Sequence, residues 1–169
     1  MEKGKVCFTG HRKIPKAELP DLKIRIVETM ETLITQHGVN SFHNGGALGF
    51  DTLTGYAVLE LKARHESIKL IMVLPCREQD KDWTDEDKAA YAKLLAAADE
   101  IIYVSEAYTS DCMKKRNIRL VQDSDYCIAY LKNQRTGTAQ TVRLAKEKGI
   151  PIFNLAGYNT NKRGSNADE

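Results

Sequence analysis

The sequence has little that would mark it for a membrane, a metal or an oxidising compartment. No apolar run approaches the roughly 18 residues of a membrane span, and Met1-Glu2-Lys3-Gly4-Lys5 leads straight into a strand-like segment with no signal-type stretch. A cytoplasmic protein without a membrane partner is expected. Four cysteines are scattered at Cys7, Cys76, Cys112 and Cys127, with no CxxC pair and no histidine spaced to complete a zinc site. That pattern argues against both a metal centre and a disulfide framework. Charge of one sign is lacking too, since 25 Lys and Arg stand against 23 Asp and Glu for a net +2. Such a field is too weak to announce nucleic-acid binding, although a local patch stays open. Aromatic residues make up only 7%, and without a basic-aromatic stripe a single-strand surface built on base stacking is not expected.

What is present suits one core. The chain has 169 residues, of which 42% are hydrophobic, enough for one domain over residues 1–156 and too few for a second. Residues 157–169 lack apolar content and are expected to form a mobile polar tail. Between these limits short apolar runs alternate with helical stripes. Val6 to Thr9, Val39 to His43, Ile68 to Leu74, Glu100 to Val104, Asp125 to Leu131 and Ile152 to Leu155 read as strands. The stripe Leu22, Ile26, Met30, Leu33 and Ile34 predicts a first helix that Gly38 ends. Leu53 to Leu61 predicts a second, and Thr84-Asp85-Glu86-Asp87 caps a third. A fourth carries Met113, Asn117, Leu120 and Val121 on one face, and Gly137-Thr138 opens a fifth. Strict alternation of strand and helix predicts an α/β fold: a Rossmann-like three-layer sandwich, mainly parallel, with helices on both faces of the sheet.

In such a sheet the loops at the carboxyl ends of the strands share one edge, where ligands bind. The polar and glycine-rich segments all follow strands: Gly10-His11-Arg12, Asn44-Gly45-Gly46-Ala47-Leu48-Gly49-Phe50-Asp51, Pro75-Cys76-Arg77 and Gly137-Thr138. Gly45, Gly46 and Gly49 can bring backbone amides to an anion beside a helix N-terminus, or simply make a tight turn. Gly137-Thr138 offers a second helix N-terminus to the same ligand. Asp51, in the first turn of its helix, suits either a cap or a ligand hydroxyl. Arg12 and Arg77 suit a phosphate or carboxylate, or solvent. Asn117, on an apolar stripe, must have its hydrogen bonds met by a loop or a ligand. Lys114, Lys115, Arg116 and Arg119 add basic charge around this helix, and a solvated helix face explains most of them equally well. Cys76 beside Arg77 is either a reactive thiol or an ordinary buried residue.

These residues resemble the SLOG superfamily, which includes YpsA-like proteins, the DNA-processing protein DprA and the LOG phosphoribohydrolases. The YpsA-like branch is the nearest in look. The resemblance rests on Phe8-Thr9-Gly10-His11-Arg12, Gly45-Gly46-Ala47-Leu48-Gly49-Phe50-Asp51, Gln79 with Trp83, Arg116-Asn117, Asp123-Ser124-Asp125 and Gly137-Thr138, in that order along nearly the whole domain. It implies a Rossmann-like fold that binds or senses a nucleotide or nucleotide-derived ligand, with NAD or ADP-ribose as candidates. Two other functions compete. One is a nucleotide hydrolase of LOG type, with Asp51 or Asp125 positioning water, and the other is a DprA-like single-stranded DNA binder. The sequence departs from both: Ala139-Gln140-Thr141-Val142 follows Gly137-Thr138 where LOG enzymes carry a glutamate, and Thr54-Gly55 stands where DprA typically has an Ala-His pair. The ligand set expected is Gly10, His11, Arg12, Asn44, Gly45, Gly46, Gly49, Asp51, Arg77, Asn117, Gly137 and Thr138, with no metal ligand; a homo-oligomer is compatible with all of this.

Attack of water at an anomeric carbon needs a group that activates it or stabilises the developing cation. Gln140 and Thr141 supply neither, so base release from AMP over long incubation is expected to stay at the background rate. Robust turnover lost in Asp51→Asn would identify an enzyme instead.

Overall fold

The computed structural model describes residues 4–156; residues 1–3 and the expected tail, 157–169, lie outside the described residues. β1 (Lys5–Gly10) leads through a 3-10 turn, Lys16–Glu18, into α1 (Leu19–His37). β2 (Ser41–Asn44) is followed by α2 (Phe50–Leu61), β3 (Lys69–Leu74) by α3 (Asp85–Ala97) and β4 (Glu100–Tyr103) by α4 (Cys112–Gln122). β5 (Tyr126–Tyr130) precedes α5 (Gly137–Lys148), and β6 (Ile152–Asn154) closes the sheet. The strands form one sheet in the order β4-β3-β2-β1-β5-β6, and every neighbouring pair is parallel. This is the Rossmann-like α/β architecture that strand and helix alternation predicts. Among the described residues, no helix is long and apolar enough to cross a membrane.

Successive strand residues point to opposite faces, and this sorts the core into two layers. Val6 and Phe8 of β1 join Phe42, Leu70, Met72 and Leu74 in packing on α1, α2 and α3. Cys7 joins Ile71, Val73, Cys127 and Ala129 against α4 and α5. All four cysteines are buried and free. The rings of Phe8 and Phe42 stack at 5.8 Å, and those of Phe50 and Tyr130 at 5.9 Å, which joins the start of α2 to the end of β5.

Capping explains most of the boundaries. Thr84 accepts the amide of Asp87 at 3.1 Å and starts α3 as its sequence predicts. Gly38 and Gly149 end α1 and α5 in left-handed conformations, φ 69° and 84°. α1 begins at Leu19, ahead of the stripe that starts at Leu22, because a proline in the first turn, Pro20, gives up an amide that has no helical partner anyway. Val39 falls outside β2; its amide closes the end of α1 on the Leu33 carbonyl at 3.1 Å.

The turn before α2 touches the loop after β1. The amide of Phe50 donates to the His11 carbonyl at 3.2 Å, and a Cβ on Gly49, φ +77°, would stand 2.2 Å from the Arg12 carbonyl oxygen. A Cβ on Gly10 would meet the Phe50 side chain at 2.4 Å. Gly49→Ala is therefore expected to cost about 2 kcal/mol or more, through both strained backbone and collision. Gly149→Ala, also at positive φ but with nothing within 4 Å of its Cβ, should cost only about 1 kcal/mol. Urea unfolding of the two variants measures the difference, and equal losses would contradict the close approach.

Candidate ligand-binding site

From β1 the chain builds outward through β2, β3 and β4, then returns to the other side of β1 with β5 and β6. Strand order thus reverses between β1 and β5, and a crevice opens beyond their carboxyl ends. A cleft of about 670 Å³ lies there. Its walls come from the end of β1 and the loop after it (Thr9 to Lys13), from Ala47 and Asp51, from α4, and from the start of α5 with Asn133 and Thr136. Of the sequence candidates, Gly10, His11, Arg12, Asp51, Asn117, Gly137 and Thr138 line this cleft.

The remaining candidates stand elsewhere. Asn44 is fully buried and braces the glycine turn, donating to the Asp51 carbonyl at 2.9 Å and to Thr54 Oγ1 at 3.1 Å while accepting the Gly46 amide at 2.8 Å. Gly45 and Gly46 are buried, and a Cβ on Gly46 would press on Leu74, Tyr91 and Met72. The amides of Gly46 and Ala47 are engaged by Asn44 and Asp51. Arg77 is exposed, pairs with Glu106 at 2.6 Å and lies over the Tyr103 ring. Asp125 is at the amino end of its strand, on the edge opposite the cleft, where it accepts the Lys5 amide at 3.1 Å. Cys76 is buried and its thiol is pushed up by desolvation, the reverse of an activated thiolate.

The largest departure from the sequence reading is Arg116. Lys114 and Lys115 are exposed as a solvated face requires, but Arg116 is only 6% exposed and lines the cleft. Its Nη1 donates to the Gly45 carbonyl, its Nε to Asn117 Oδ1 at 3.0 Å, and Nη2 approaches Met113 Sδ at 3.7 Å. Among the described residues, no carboxylate lies within ion-pair distance of it. Position gave the clue: Arg116 follows Met113 by three and precedes Leu120 by four, on the inward face of α4. Asn117 thus serves the chain's own network, holding Arg116 by its oxygen and Gln140 by its amide at 3.3 Å.

Two loops are fixed around the cleft. His11 Nε2 accepts the amides of Lys132 and Asn133 at 2.7 and 3.0 Å. It must be neutral to do so, and burial together with Lys132 holds its pKa below the ordinary value. Thr136 caps α5 by accepting the Ala139 amide at 3.1 Å, which leaves the amides of Gly137 and Thr138 free at the helix N-terminus. Asp51 is 5% exposed; its Oδ2 accepts the Ala47 amide at 3.0 Å, and its Oδ1 has no partner. Burial raises its pKa to about 6, against the pull of Arg116.

The sequence matches the YpsA family, described as the YspA SLOG family, over residues 7–149. The chain belongs to this family. It is similar to the SPbeta prophage-derived protein YoqJ of Bacillus subtilis, 33% identical over 138 residues that cover 75% of this chain and 81% of YoqJ. Among solved structures it resembles DprA of Helicobacter pylori, a study of whose single-stranded DNA binding mode supplied the structure (TM-score 0.66, 22% identity, 95% of this chain, 68% of that one). It also resembles DprA of Streptococcus pneumoniae (TM-score 0.65, 18% identity), covering 94% of this chain and about half, 52%, of that one. At these identities the two likenesses establish the fold, while membership of the SLOG family supports nucleotide-related binding at a general level.

The buried carboxyl of Asp51 gives the cleft a pH signature. Its pKa is raised on folding from 3.8 to about 6, so its contribution to stability is fully present below pH 3.8 and is lost as pH rises through about 6. Asp51→Asn removes this dependence. Relative to the parent, the variant is expected to gain roughly 2–3 kcal/mol between pH 4 and pH 8 in urea unfolding. A constant difference across that range would contradict the burial of the charge.

Proposed function

We propose that the cleft binds a nucleotide or nucleotide-derived ligand whose phosphate sits between Arg116 and the start of α5. The observation that carries this reading is the buried guanidinium of Arg116, which among the described residues has no carboxylate in ion-pair contact. A buried cation is costly unless an anion meets it, and the planar guanidinium forms charge-assisted bonds to phosphate oxygens. The free amides of Gly137 and Thr138 add donors and the positive end of a helix dipole to the same space. Met113 and Leu120 give the α4 wall apolar surface for a base, and 670 Å³ is ample for a ligand of this class. NAD and ADP-ribose, which carry two phosphates, remain the candidates that the family resemblance suggests.

The two competing activities find less support. The first turn of α5 has no acid, and among the described residues Asp51 is the one carboxylate on the cleft wall, so a hydrolase built from them would have to run on that group alone. For a DNA binder, the favouring feature is the exposed pair Arg12 and Lys13 on the rim, together with the likeness to DprA.

Calorimetry of the purified chain with AMP, ADP-ribose and NAD tests the proposal. At least one is expected to bind, and Arg116→Gln should weaken it by about 30-fold or more, as for loss of a charged hydrogen-bonding partner. Unchanged affinity in a folded variant would refute the phosphate assignment. Sub-micromolar, steeply salt-dependent binding of oligo-dT would instead favour the DNA reading.

A further inference from the structure

We infer that Asp51 is the acceptor for a ribose hydroxyl, making the cleft selective for ribonucleotides over nucleotides that lack the sugar diol. The inference rests on the nucleotide reading above and adds what that reading leaves open, the part of the ligand that the chain recognises beside the phosphate.

On the cleft wall, among the described residues, the geometry leaves one buried acceptor without a donor. Asp51 lines the cleft and is 5% exposed, yet only its Oδ2 is engaged, by the Ala47 amide at 3.0 Å. Oδ1 is buried and has no partner among the described residues. The Asn44 amide is committed to the Asp51 carbonyl and Thr54, and Arg116 to Gly45 and Asn117, while Arg12 acts on the carboxylate only through space. Arg116 makes no ion pair with this carboxylate. A buried, unpaired carboxylate oxygen costs the fold its full desolvation, which is what the raised pKa of Asp51 registers. An occupant of the cleft removes that cost only by bringing a hydrogen-bond donor. Phosphate has none to spare when ionised, whereas the ribose diol has two hydroxyls close to it. A carboxylate accepting from a sugar hydroxyl is also the chemistry by which dinucleotide sites of doubly wound sheets read ribose.

The test compares AMP, 2′,3′-dideoxy-AMP and IMP by calorimetry on the full chain and on Asp51→Asn. Asparagine keeps an oxygen for the Ala47 amide and turns the second position from acceptor into donor. In the parent, AMP and IMP are expected to bind alike and dideoxy-AMP at least tenfold more weakly. In Asp51→Asn the ribose to dideoxy ratio should fall below about threefold, with a melting temperature no lower than the parent's. Equal binding of AMP and dideoxy-AMP by the parent would overturn the inference while leaving the nucleotide reading intact. IMP weaker than AMP with dideoxy-AMP unchanged would assign the donor to the base amino group and overturn it as well. Binding of none of the three, nor of ADP-ribose or NAD, would overturn the nucleotide reading and the inference together.

Discussion

The cleft depends on how one buried guanidinium is held. Arg116 reaches from α4 to the carbonyl of Gly45 and thereby ties the helix layer formed by α4 and α5 to the turn that starts α2 on the other side of the sheet. A Cβ on Gly45 would come within 2.7 Å of Arg116 Nη1 and 3.1 Å of Asp51 Oδ2, so the glycine is required by the closeness of these charged groups. Gln79 reaches the same carbonyl at 3.5 Å and the Tyr91 hydroxyl at 3.1 Å, which attaches the segment after β3 to the network. Arginine keeps its charge in such surroundings, and the buried Asp51 answers it through space, without contact.

A second constraint sets the opposite wall. The return of the chain from β4 to β5 puts the loops after β1 and β5 side by side, and His11 joins them by accepting two successive amides of the β5 loop. Tyr130 and Lys132 both bond Glu18, so the same loop is also fastened to the entry of α1. These bonds orient Thr136 and the free amides of α5 toward the cleft. Preorganised donors of this kind bind an anion without paying to order a flexible loop.

The glycine-rich turn shows that one sequence signal can serve two physical ends. Glycines between a strand and a helix suggest amides open to phosphate, and here the second strand-to-helix turn directs the amides of Gly46 and Ala47 to Asn44 and Asp51. Gly46 and Gly49 are needed for their positive φ and for close approach to Tyr91 and Arg12. At the fifth helix the cap residue is Thr136 and Gly137 comes first, and the amides of Gly137 and Thr138 have no partner among the described residues. The two turns differ in composition: the first carries Gly45, Gly46 and Gly49, the second Asn133, Thr136 and Gly137.

The sequence by itself determined the fold class, every strand and helix to within a few residues, and the edge of the sheet on which the chemistry gathers. It could do so because periodicities of 2 and 3.6 are local, and strand-helix alternation leaves few topologies. It also determined that Asn117 had polar partners to find, since it sits on an apolar stripe. What only the tertiary structure decided was which loop residues converge and which charges are buried. Arg77 reads as a ligand cation in a strand-end loop and Arg116 as part of a basic helix face, yet Arg77 pairs with Glu106 in solvent and Arg116 closes the cleft wall. Burial of a charge depends on what the rest of the chain packs around it, and that is set by contacts such as the one Arg116 makes with Gly45, 71 residues away.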